Sequence, residues 1–173
     1  MCSLSLRRHM QISALFRTLF SYRAVIATIL LASAIMANAA EPQIVKDAVE
    51  AAEWMAKTLS SSGYKADFTL DSLKEVDRFV DDQAPGGNPK PGGLLSDHLG
   101  ARIFALGAYV GEVIRRQGEG QWRGDDNDPK GEINLAIQLK SGTIFWPMQR
   151  IMKRIKNGPE DGIYAYGFVM LRP

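Results

Sequence analysis

LSDHLGARIFALGAYVGEVIRR, residues 95–116, is the stretch on which the fold turns. Leu95, Leu99, Ile103, Leu106, Val110 and Ile114 recur at helical spacing and make one apolar stripe. Gly100, Phe104, Gly107 and Gly111 make a second, whose small residues let another backbone come close. A helix apolar on two faces has to be covered from two sides, which predicts the central helix of a core. Gly107 and Gly111 have GxxxG spacing, but Asp97, His98, Arg102 and Glu112 interrupt the apolar run, so it reads as a core helix and not as a membrane span.

Upstream, Pro42 opens a helix running to about Ser60, with Val45, Ala48, Val49, Ala52, Met55, Ala56 and Leu59 on one face and Ser60-Ser61-Ser62-Gly63 as its stop. A second helix, Ser72 to Asp82, is expected to start from a Thr69 or Asp71 cap. It turns Leu73, Val76, Phe79 and Val80 inward and Lys74, Glu75, Asp77, Arg78, Asp81 and Asp82 outward. Between it and the central helix lies QAPGGNPKPGG, residues 83–93, with four glycines and three prolines; this reads as a surface loop, either a connector or a contact segment.

Downstream, Gln121-Trp122-Arg123 is a short strand candidate. Glu132 to Lys140 alternates, Ile133, Leu135, Ile137 and Leu139 on one side, as a half-buried strand does. Ser141-Gly142 turns it back into Thr143 to Trp146 as a hairpin. Pro147 starts a fourth helix with Met148, Ile151, Met152 and Ile155 inward and Asn157-Gly158 closing it. Pro159-Glu160-Asp161 then starts a last segment carrying Ile163, Tyr166, Phe168 and Met170, a helix or alternatively a strand. The fold class expected is α+β: four or five helices packed on a small antiparallel hairpin sheet, in one domain over residues 41–173.

Residues 1–40 read as a secretory leader. Arg7, Arg8, Arg17 and Arg23 form the basic region, Ala24 to Met36 the apolar one, and Ala37-Asn38-Ala39-Ala40 a small-residue site for cleavage after Ala39 or Ala40. The basic region is long, which makes Met10 a second candidate start. Arg7-Arg8 fits a twin-arginine signal poorly, and Cys2 lies far from the cleavage site, so there is no lipoprotein signature. Cleavage removes four basic residues and the one cysteine, leaving 17 Lys and Arg against 19 Asp and Glu, a net of about −2, in a thiol-free chain of 133 residues. A general nucleic-acid role and a cysteine enzyme both lose their support. The expected location is periplasmic or secreted, with no membrane span in the mature chain.

The remaining side chains offer little chemistry. His98 is the one histidine beyond the leader, too few for a zinc site and without a cysteine partner. Asp125-Asp126-Asn127-Asp128 starts like a calcium loop but fails at Lys130 and Ile137, the fifth and twelfth positions. The glycine-rich loops lack both phosphate-binding patterns, and no cofactor is implied. Glu112, in an apolar helix, is the best carboxylate candidate: burial would raise its pKa, unless Arg116 one turn on pairs with it. Arg150, Lys153, Arg154 and Lys156 are expected to make an exposed basic patch opposite the Met/Ile stripe.

Leu106 to Arg116 (LGAYVGEVIRR) with Trp122 beyond a turn, and Lys153 to Asp161 (KRIKNGPED), together resemble a loose group of uncharacterised bacterial domains. In that group a GAYxGE helix precedes a tryptophan, a short hairpin and a KRxxNGxED turn. The likeness spans Leu70 to Tyr166 and implies a small α+β domain, without a particular activity. The candidate surface or cleft residues are Tyr109, Glu112, Arg116, Trp122, Arg154, Asn157, Glu160 and Asp161. The function expected is a non-catalytic envelope module that binds another protein, as small exported inhibitors and toxin-immunity proteins do. The competing class is a small envelope hydrolase using Glu112 and Glu160 with Tyr109 or Arg154; an envelope assembly factor is a third.

Overall fold

A computed structural model describes residues 41–172; the leader, with its cleavage site and Cys2, lies outside the described residues. In chain order the elements are α1 (Gln43–Ser61), α2 (Ser72–Gln83), α3 (Leu99–Gln117), β1 (Gln121–Arg123), α4 (Gly131–Asn134), β2 (Ala136–Gln138), β3 (Ile144–Phe145), α5 (Pro147–Asn157) and α6 (Ile163–Met170). The class is α+β as expected, with one more helix because α4, a single turn, stands where a strand was read.

α3 is the centre. Ala105 to Ile114 are buried without interruption, so this helix is enclosed on every side. α1 lies along it through Val45, Ala48, Ala52, Met55, Ala56 and Leu59, the stripe read from its sequence except for half-buried Val49. The second, glycine-bearing face works as expected. A Cβ on Gly107 would lie 2.8 Å from Cα of Met148, so α5 crosses there backbone to backbone. A Cβ on Gly111 would collide with the Trp122 ring and lie 2.9 Å from Ile137 Cδ1, where the sheet packs. The sheet has the order β1-β2-β3, antiparallel throughout, with Trp122 opposite Ile137 and Ile137 opposite Phe145.

Several elements depart from the sequence reading, each for a local reason. α3 starts at Leu99, not Leu95: His98 precedes it in left-handed geometry (φ 52°), and Leu95 fills the core from the turn before it. The 83–93 loop lies mostly exposed at the surface, as read, and is pinned in place by hydrogen bonds. Gln83 accepts the Leu94 amide on its side chain (2.8 Å) and the Lys90 amide on its carbonyl (2.8 Å), and Gly87, at φ 82°, brings the loop against the Ile155 carbonyl. Neither Thr69 nor Asp71 caps α2 with its side chain; the Thr69 hydroxyl donates to Asp67 instead. Asp128 accepts the Lys130 amide and the Asn134 side chain, which winds residues 131–134 into α4, shortens β2 and leaves Ile133 43 % exposed.

On α5 the buried face is Pro147, Met148, Ile151, Arg154 and Ile155, rotated from the expected stripe so that Met152 is out and Arg154 is in. The last segment is a helix, yet it buries Ile163 and Gly167 while Phe168 faces solvent. No described helix is long and apolar enough to cross a membrane.

The Gly107 crossing gives a direct test. Gly107→Ala must push the α5 backbone away and is expected to cost about 1–3 kcal/mol in chemical denaturation. Gly100→Ala, exposed with open space at its Cβ, should be neutral or stabilise by up to about 1 kcal/mol. Equal effects at the two positions would refute the close crossing.

Candidate functional site

Seven of the eight candidate residues are tied into two regions that share no residue, and Glu160 joins neither. In the first, the Glu112 side chain is shut off from solvent. Its Oε1 accepts Arg115 Nε (2.5 Å) and Trp122 Nε1 (2.8 Å); its Oε2 accepts Arg115 Nη2 (3.0 Å) and Arg116 Nε (2.8 Å). Arg116 goes on to Glu53 on α1 (2.6 Å) and lies 3.8 Å above the Phe68 ring, which in turn packs on Tyr109. Tyr109 is itself buried, its hydroxyl 2.6 Å from Ser72 Oγ and accepting the Phe68 amide (3.3 Å).

This corrects the expectation of a raised Glu112 pKa. Burial does push the carboxyl up, but the hydrogen bonds from Arg115, Trp122 and Arg116 outweigh it and hold the group below its ordinary value. A general acid needs the opposite shift. The alternative reading, pairing with Arg116, is present, with Arg115 added. For Tyr109, burial is the main cause that raises its pKa.

The second network corrects the expected basic patch. Arg154 is 2 % exposed: its Nε donates to Asp77 Oδ1 (2.7 Å) and its Nη2 to Asp81 Oδ1 (2.7 Å). Asp77, read as an outward residue of α2, also accepts the amides of Ile163 (2.8 Å) and Tyr164 (2.9 Å) and so caps α6. Arg150 donates to Asp161 (2.8 Å), whose other oxygen takes Asn157 (2.6 Å). Glu160 is exposed. Glu112 and Glu160 therefore do not meet in one cleft.

The acidic loop is equally committed. Asp126 accepts the first two amides of α1, Gln43 (2.8 Å) and Ile44 (2.9 Å), which lowers its pKa. These groups and Asp128 line an open cleft of about 590 Å³ whose surface is part polar and part apolar. No described group of three or more His, Cys, Asp or Glu side chains is arranged to hold a metal ion.

What sequence reasoning missed lies on the far side of Ile133. An open groove of about 490 Å³ runs between α3, α4 and α5, floored by Ile103, Ile133, Met152 and Ile155 and edged by Lys153 and Lys156. Ile133 and Met152 are 43 % and 42 % exposed. The signal was present but misassigned, since both fitted an inward stripe. Two exposed aromatic rings elsewhere lie beneath a cation: Trp54 under Arg102 and Phe168 under Arg172. No family model, curated protein or solved structure matches the chain.

The depressed Glu112 pKa supplies stability that is present above the group's ordinary value and is lost as pH falls through the folded-state value. Glu112→Gln is expected to lower unfolding free energy at neutral pH by about 2 kcal/mol. It should also flatten the fall of Tm on acidification. Wild type and variant losing Tm in parallel down to acid pH would show that Glu112 is not the group responsible.

Proposed function

We propose that this chain is an exported, non-catalytic module of the cell envelope that binds another protein, of the kind that serves as an inhibitor or as a toxin's immunity partner. The observation that carries the reading is the groove: adjoining apolar side chains left open on otherwise well-packed elements mark interaction surfaces. Two further points support it. Glu112, Arg115 and Arg116 of the first motif stretch and Arg154 and Asp161 of the second are spent on internal ion pairs, which favours an architectural use of those residues. The secretory pattern of residues 1–40 supports a working domain beyond the membrane, periplasmic or secreted.

Two experiments test the parts separately. Intact-mass measurement of the protein recovered outside the cytoplasm should show Ala40 or Glu41 as its first residue; an uncut chain retained in the cytoplasm would contradict export. A photo-crosslinking residue at position 133 or 152 in source cells should give one discrete adduct shared by both positions. The same residue at position 144, an exposed isoleucine on β3, should give none. Identical adduct patterns from all three positions, or none from 133 and 152, would remove the groove as the docking surface.

A further inference from the structure

We infer that the groove between α3, α4 and α5 takes an acidic amphipathic helical segment of the partner, its apolar side chains on the groove floor and its carboxylates against Lys153 and Lys156. The inference rests on the docking reading above and adds the chemistry of the occupant.

Shape and charge carry it. The floor, Ile103, Ile133, Met152 and Ile155, is aliphatic and thioether, and it comes from three separate elements, so it forms a trough and not a flat face. A trough of this kind accepts a convex row of side chains, as when an amphipathic helix presents residues at i, i+3, i+4 and i+7. Among the described residues the one uncharged polar side chain lining the groove is Gln149, whose amide donates to the Ile133 carbonyl (3.3 Å), so little is left to orient a small polar ligand.

The charge of the occupant follows from the rim. Lys153 and Lys156 are exposed and form no ion pair among the described residues, whereas Arg150 and Arg154 of the same helix are both paired. The two lysines lie one turn apart, the spacing at which carboxylates on a docked helix would meet both. The carboxylates on the other side of Ile133, Glu132 among them, line the neighbouring cleft, and the only charged side chains lining the groove among the described residues are Lys153 and Lys156. Met152 adds an unbranched side chain that adapts to different apolar partners.

The probes are two labelled synthetic peptides of about 16 residues, long enough to form a helix on binding. They share a leucine stripe at helical spacing and carry glutamate in one and lysine in the other at all remaining positions. Each is titrated into the full chain labelled at isoleucine and methionine methyls. The glutamate peptide is expected to bind, to shift the methyls of Ile103, Ile133, Met152 and Ile155, and to weaken as salt is raised. Lys153→Glu together with Lys156→Glu should weaken it about tenfold, the sum expected of two exposed charge contacts, and improve the lysine peptide. Met152→Glu should weaken both peptides, and Arg123→Glu, on exposed β1, should change neither.

Equal binding of the two peptides, shifts confined to other methyls, or survival of binding after the double charge reversal would each overturn the inference. So would phosphatidylglycerol vesicles that shift the groove methyls more strongly than the glutamate peptide does. Failure of both peptides would overturn the acidic-helix occupant alone; the docking reading stands or falls on the crosslinks from positions 133 and 152.

Discussion

Ten consecutive residues of α3 hidden from water are the constraint that places everything else. A helix buried over that length has no solvent face, so α1, α5, α6 and the sheet must each cover part of it. The glycines decide how closely they come: Gly107 admits the α5 backbone and Gly111 admits Trp122 and Ile137. Glu112 is the one charge in the run, and burying it is tolerable only with donors on both oxygens. Trp122 reaches it from β1, so the same carboxylate that threatens the core also fixes where the sheet begins.

A second regularity joins distant parts of the chain. α1 and α6 start at Pro42 and Gly162, neither of which offers a side-chain acceptor. Each helix takes a carboxylate from elsewhere, Asp126 for α1 and Asp77 for α6. Asp77 also holds Arg154, so α2, α5 and α6 meet at one acidic residue. The acidic loop and the KRxxNGxED stretch, which look like ligand sites in one dimension, are fasteners in three.

How much of this was legible depended on how far each determinant reached along the chain. α1, the body of α3, the hairpin and the close approach at Gly107 and Gly111 follow from periodicity and residue size, which are local, and they are present, although α3 begins at Leu99 and β2 is cut to Ala136–Gln138. Arg154 could not be placed from sequence because its partners are 73 and 77 residues away, and a lone arginine on a helix reads as solvated until they are known. Met152 and Ile133 were misplaced for a related reason. Apolar residues fit an inward stripe by default, and only the cap from Asp128 and the Gly107 crossing turn them out. The groove was therefore invisible: its floor is built from residues that sequence periodicity assigns to the core.

The borrowed caps also impose a chronology. All of α1 has been synthesised by residue 61, yet its first two amides have no protein side-chain acceptor until Asp126 arrives, 83 and 82 residues after the amides themselves. α6 differs, since Asp77 is already there waiting when Ile163 emerges. A chain delivered N-terminus first thus makes α1 without its side-chain cap, a loss of about 1 kcal/mol, until the loop after β1 has been made. The start of α1 is therefore capped late and the start of α6 at once, so the two borrowed carboxylates act in opposite directions along the chain.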